Sequence, residues 1–114
     1  NNAIAKNLKV ESEYCLINYK NERKAVELLK EGNQSGAEKL LKENLEIGTS
    51  SSLTYDLLIK IYNKKNDYLG VINVLNKGIK YSDKKQMYRK LRKKVILKKI
   101  LGDMKQINNT YLYQ

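Results

Sequence analysis

Apolar residues recur at three- and four-residue intervals along most of the chain, and no apolar–polar alternation runs long enough to argue for a strand. The pattern predicts an all-α protein of about seven helices. The first covers about 3–19, with Ile4, Leu8, Tyr14, Cys15, Leu16 and Ile17 in its stripe. The second, Glu22 to Glu31, carries Ala25, Val26, Leu28 and Leu29 and stops at Gly32, a residue that adopts the left-handed conformation at low cost. A third is expected from Ser35, because Glu38 three residues on completes the capping-box spacing; it shows Ala37, Leu40, Leu41, Leu45 and Ile47 and ends at Gly48.

The Thr49 to Ser52 run reads as a loop offering several N-caps to a fourth helix with Leu53, Leu57, Leu58, Ile61 and Tyr62. Asn66-Asp67 makes a tight turn into a fifth helix bearing Tyr68, Val71, Ile72, Leu75 and Ile79. A sixth is expected from Ser82-Asp83, with Asp83 and Gln86 at cap spacing and Tyr88, Leu91, Val95, Ile100 and Leu101 as its stripe. Gly102-Asp103 is expected to turn the chain into a short seventh helix with Met104, Ile107, Tyr111 and Leu112. Connections this short force neighbouring helices to be antiparallel.

Sliding the chain on itself by 34 residues aligns Gly32-Asn33 with Asn66-Asp67, Leu28 with Tyr62, Ala37 with Val71, Leu41 with Leu75 and Leu45 with Ile79. A slide of 36 then brings Asp67-Tyr68 onto Asp103-Met104. A two-helix unit at this spacing resembles the tetratricopeptide repeat family, most closely over Ser52 to Lys85. There Tyr55, Leu58 and Tyr62 stand at the bulky, aliphatic and aromatic positions of the family's first helix. Asn66-Asp67-Tyr68 is similar to its Gly-Asp-Tyr turn, and Val71, Leu75 and Gly78 fall at the small, bulky and small positions of its second helix. Ile59 and Val71 are larger than the family's usual residues, no Pro stands near Asp83, and Lys24 replaces an aliphatic, so the resemblance is to a divergent member.

The resemblance implies a short right-handed solenoid of stacked antiparallel hairpins in a single domain, 1–114. It would hold an N-terminal helix (1–20), a first hairpin (21–51), a second (52–83) and a third, irregular or capping hairpin (84–114). It also implies a non-catalytic scaffold whose concave face, lined by the first helix of each unit, holds a protein or peptide. That groove would present Asp56, Lys60, Asn63, Lys64, Arg89 and Lys93 and favour an acidic or carboxylate-bearing peptide. Asp56, however, stands where carboxylate-clamp members of the family place a Lys.

Charge sharpens the picture. Residues 1–50 hold eight Lys/Arg and eight Glu, whereas residues 51–114 hold fifteen Lys/Arg and four Asp, so the whole net charge of +11 lies in the second half. The stretch Lys84 to Leu101 concentrates it: Arg89 and Lys93 are joined by a basic patch of Lys90, Arg92, Lys94 and Lys98. Three readings stay open for it, namely a core helix with a solvated back, a surface for nucleic-acid phosphates, and a membrane-surface or calmodulin-target-like helix. A basic nucleic-acid-binding domain is therefore the alternative function.

Composition argues against catalysis. His is absent, the one Cys cannot build a thiolate cluster, and no Gly-rich phosphate loop precedes a helix, so neither cofactor nor metal is expected. Cys15, flanked by Tyr14, Leu16 and Ile17, is expected in the core, and the pairs Glu27/Glu31 and Glu43/Glu46 read as solvated surface. No run approaches the length of a membrane span, which suggests a cytoplasmic location. Richness in Lys, Asn and Ile suggests an AT-rich bacterial genome. The opening Asn1-Asn2-Ala3, lacking Met, suggests a fragment of a longer protein. An irregular third unit should leave an apolar end exposed, able to self-associate through the terminal hairpin.

Overall fold

A computed structural model of the chain describes the backbone of residues 2–112 and the side chains of 13–108. Those residues form five helices: α1 (Asn2–Lys30), α2 (Gln34–Ile47), α3 (Ser52–Lys64), α4 (Tyr68–Tyr81) and α5 (Lys85–Leu112). Each packs on the next in sequence, giving tandem hairpins in an elongated all-α body of 70 × 33 × 18 Å. The side chains of Ile4, Leu8, Tyr111 and Leu112, assigned above to helix stripes, lie outside the described residues.

Three turns repeat one geometry. Gly32 (φ 82), Gly48 (φ 80) and Asn66 (φ 55) are the left-handed residues. Each is followed by an amide that reaches back five residues: Asn33 to the Leu28 carbonyl at 2.7 Å, Thr49 to Asn44 at 3.2 Å and Asp67 to Tyr62 at 3.0 Å. This is the Schellman closure, which satisfies carbonyls left orphaned at a helix end. The offset of 34 is realised in three dimensions, since α2 and α4 are each 14 residues long and start at Gln34 and Tyr68.

Five helices replace the expected seven because two anticipated breaks do not occur. Lys20-Asn21 contains nothing that must leave a helix, and Asn21 is fixed across the hairpin by its Nδ2 donating to Asn44 Oδ1 at 3.0 Å, so α1 runs through. Gly102 stays helical in α5, where glycine costs about 0.5–1 kcal/mol without ending the helix. The Lys99–Asp103 ion pair at 3.0 Å spans it. No terminal hairpin is therefore formed by the described residues.

Two caps also differ. Asn33, not Ser35, caps α2, its Oδ1 accepting from Gly36 N–H. Glu38 is drawn away to Lys42 and Lys65. Before α5, which begins at Lys85 and not at Ser82-Asp83, the Ser82 hydroxyl accepts from Lys84 N–H at 3.2 Å in a turn.

The core lies between the hairpins, with Ala37, Leu41, Tyr55, Leu58, Leu75 and Tyr88 fully buried. Helix lengths decide what it cannot cover. At about 1.5 Å per residue, the 14-residue α2 and α4 span half of the 29-residue α1 and 28-residue α5. Tyr14, Leu16 and Ile17 toward the start of α1 are thus exposed, as are Ile100, Leu101, Met104 and Ile107 on the late half of α5. Cys15 is exposed, lining an open pocket at the end of α2, contrary to the expectation of a core thiol. Among the described residues no helix is long and apolar enough to cross a membrane.

Candidate binding groove

The first helices of successive hairpins, α1 and α3, line two clefts. One, about 390 Å³, is walled by Leu29, Leu57 and Ile61, with Lys60 and Lys64 at its side and Gly32 and Gln34 closing its end. The other, about 310 Å³, is formed by Tyr19, Glu22, Arg23, Val26, Glu27 and Lys30 of α1 against Leu53 of α3. Three pairs of equivalent repeat positions are divided between the clefts: Arg23 and Leu57, Val26 and Lys60, and Lys30 and Lys64 are each separated by 34 residues, while Tyr19 and Leu53, at the same offset, both line the second. Helical geometry explains the set, since residues at intervals of three and four share a face.

Of the residues anticipated for the groove, Lys60 and Lys64 meet in the first cleft. Asp56 is engaged elsewhere: its Oδ1 accepts from the Tyr88 hydroxyl at 2.8 Å, and its Oδ2 lies 3.8 Å from Lys84 Nζ. Asn63, Arg89 and Lys93 are exposed and line neither cleft. Leu29, Leu57, Ile61, Tyr19 and Arg23 do not appear among the expected lining residues, whereas the 34-residue offset applied to Lys60 and Lys64 points to Val26 and Lys30 of the second cleft.

The basic patch divides between faces. Arg92 Nη1 donates to Asn76 Oδ1 of α4 at 2.8 Å, and Lys98 Nζ sits 5.9 Å from the Tyr68 ring centroid, also on α4. Arg89 with Lys93, and Lys90 with Lys94, form two i,i+4 pairs on adjacent exposed faces of α5. On the α2–α4 side, Lys65 donates to Glu38 Oε2 at 2.6 Å. That bond, aided by Tyr62 and Lys42 and opposed by partial burial, holds the Glu38 carboxyl below the usual carboxylate range.

Two buried junctions set the spacing of the first helices. Between α1, α2 and α3, the fully buried Asn44 donates through Nδ2 to the Asn18 carbonyl at 2.9 Å and to Thr54 Oγ1 at 3.1 Å. Between α3, α4 and α5, the equivalent position is Gly78, against which Tyr55 and Tyr88 pack with ring centroids 6.0 Å apart. The Tyr55 hydroxyl donates to the Thr49 carbonyl at 2.5 Å.

Among the described residues no group of three or more His, Cys, Asp or Glu could hold a metal ion. No family model, curated protein or solved structure matches the chain. By fold it is an all-α domain of tandem helical hairpins, its first two hairpins in 34-residue register.

Proposed function

We propose that the chain is a divergent module of tetratricopeptide type that acts as a non-catalytic scaffold, holding an acidic, partly apolar peptide segment along α1 and α3. The observation that carries this reading is the recurrence of equivalent positions, Arg23/Leu57, Val26/Lys60 and Lys30/Lys64, in the two clefts. Apolar side chains there offer burial for a partner's aliphatic groups, while Lys30, Lys60 and Lys64 can form charge-assisted hydrogen bonds with carboxylates.

The second reading, a surface for nucleic-acid phosphates, is favoured by the exposed pairs Arg89/Lys93 and Lys90/Lys94. Leu29, Leu57 and Ile61 in the groove weigh for the peptide, since phosphate contacts need no apolar wall.

Anisotropy titrations with a panel of labelled Glu/Leu-rich peptides and with a random-sequence oligonucleotide, each at 50 and 200 mM salt, separate the two. Peptide binding that persists at the higher salt and is lost in Lys60→Glu/Lys64→Glu is the expected result. Oligonucleotide affinity should fall by roughly 10³ over that range if six or more phosphates are contacted. Tight oligonucleotide binding at 200 mM salt, with none of the peptides bound, would replace the peptide reading with the second.

A further inference from the structure

Helix α5 carries two apolar faces. The first holds it to the body: Tyr88 and Val95 are buried, the Tyr88 hydroxyl donates to Asp56 of α3, and Arg92 and Lys98 reach Asn76 and Tyr68 of α4. Leu97 and Met104 follow Tyr88 and Val95 by nine residues each, which is about 180° around a helix, so they point away from the body. Ile100, Leu101 and Ile107 join them in an arc of about 120°. All five are exposed, Ile100 at 49% and the others at 53–56%. Every residue of 97–107 that falls on this arc is Leu, Ile or Met.

The border of the arc is of one sign. Lys94 and Lys105 flank it beside Leu101, and Lys90 and Lys93 continue the same face toward the start of α5. These four are exposed and, among the described residues, stand in no ion pair. Residues 84–105 hold ten Lys/Arg against Asp103 alone, and Asp103 is already paired with Lys99. Two copies meeting through this face would bring two such helices together with no acid to offset them, so charge opposes a second copy. A partner helix is ordinarily seated by a narrow two-position seam, often with a buried polar residue to fix its register. This arc is wider and holds no polar side chain. An apolar stripe bordered by long cations fits instead a hydrocarbon interior with an anionic boundary, because Lys stems lie along apolar surface while their ammonium groups reach outward.

We propose that α5 docks the chain on the surface of an anionic lipid bilayer. The helix lies in the interface plane, with Leu97, Ile100, Leu101, Met104 and Ile107 among the upper acyl chains and Lys90, Lys93, Lys94 and Lys105 at the phosphate headgroups. Attachment of this kind needs no spanning segment, and among the described residues no helix is long and apolar enough to be one. The clefts along α1 and α3 take no part, so the proposal stands apart from the peptide reading of the groove.

The test is flotation of the whole chain with phosphatidylcholine vesicles, prepared with and without phosphatidylglycerol, at low and at physiological salt. The expected result is flotation with the mixed vesicles at both salts, with binding to phosphatidylcholine alone weaker by about tenfold or more. Each cation near an anionic surface strengthens attraction about fivefold, so Lys90→Gln/Lys94→Gln should weaken binding by about tenfold or more. Lys20→Gln/Lys24→Gln, which removes the same charge from α1, should change it by less than about threefold. Leu101→Ser/Met104→Ser should weaken it by about tenfold or more with unchanged circular dichroism. Equal binding to the two kinds of vesicle, binding undiminished in the serine variant, or no flotation of the native chain would overturn the proposal. An acidic amphipathic peptide with Leu and Glu in heptads, titrated in parallel, names the replacement: if it binds where vesicles do not, and the serine variant loses it, the stripe belongs to an acidic partner helix. Should the serine variant fail to fold, the two glutamine variants and the two kinds of vesicle decide.

Discussion

Asn33 and Asp67, 34 residues apart, perform the same act in successive hairpins: each side-chain Oδ1 accepts from the amide of a glycine three residues on, Gly36 or Gly70, at 2.9 Å. Each also follows directly on the left-handed residue that ends the preceding helix. One short polar side chain therefore completes a stop and a start together. Asn33→Ala and Asp67→Ala should each cost about 1 kcal/mol in urea denaturation, whereas the exchanges Asn33→Asp and Asp67→Asn should stay within about 0.5 kcal/mol.

Gly78 is required by close approach and not by backbone twist. A Cβ there would lie 2.8 Å from Tyr88 Cδ2, 3.0 Å from Tyr88 Cε2 and 3.4 Å from Tyr55 Cδ1. Helix propensity favours Ala over Gly by about 1 kcal/mol, but the Tyr88 ring is buried and tethered through its hydroxyl to Asp56 and the Ser52 carbonyl. Overpacking of this kind costs about 1–3 kcal/mol. Gly78→Ala should thus be net destabilising, and a double-mutant cycle with Tyr88→Leu should show the penalty relieved. A stabilised Gly78→Ala chain would mean that α4 and α5 move apart readily.

The legible parts of the sequence were those governed by local backbone rules. Gly32, Gly48 and Asn66 announce their turns because few other residues accept positive φ, and the 34-residue register followed from them. What escaped was decided by tertiary contact. Glu38, placed three residues after Ser35 as if for a capping box, instead bonds Lys65 from the next hairpin. The Cys15 flank looked like core, but it lies beside the very end of α2, where Cys15 and Ile47 line an open pocket. The polar junction at Asn44 was missed although the same slide aligns Asn44 with Gly78, a place where the space between helices is tightly controlled. In the groove, Lys60 and Lys64 were placed by the geometry that the repeat resemblance implies, while the apolar wall escaped because its members read as ordinary core positions.

The Asn44 junction should be costly to break. Truncation to Ala would strip partners from Thr54 and from the Asn18 carbonyl, all within a buried site. Leaving buried polar groups unsatisfied costs about 1–3 kcal/mol each, so Asn44→Ala should lose about 2 kcal/mol or more in chemical denaturation. Asn76→Ala, which removes an exposed bond to Arg92, should lose less than about 1 kcal/mol.

Alkaline pH provides a separate probe of the aromatic junction. Burial, with a smaller contribution from Tyr81, pushes the Tyr55 hydroxyl up to about 12. Burial and the Asp56 carboxylate raise Tyr88 as well. Both folded values lie above the tyrosine value of about 10 in an unfolded chain. Their contribution is consequently complete below pH 10 and is lost as pH climbs through the folded values. The urea midpoint should fall from about pH 10 toward pH 12, and Tyr55→Phe should make that fall shallower. A midpoint as steep in Tyr55→Phe as in the native chain would remove Tyr55 from the account.

The uncovered half of α5 yields a contrast in stability within one helix. Leu101, Met104 and Ile107 are each more than half exposed, whereas Tyr88 and Val95, on the half that α4 covers, are buried. Leu101→Ser, Met104→Ser and Ile107→Ser should each change stability by no more than about 0.5 kcal/mol, while Leu58→Ala and Leu75→Ala in the core should cost about 2–5 kcal/mol. Chemical denaturation across a hundredfold range of protein concentration makes the comparison decisive. Self-association through this stripe would stabilise the folded chain by mass action, so its midpoint would rise with concentration. The serine variants would then lose that rise without losing stability at the dilute end. A midpoint independent of concentration, in the native chain and variants alike, would mean that the stripe stays solvated when this chain is alone.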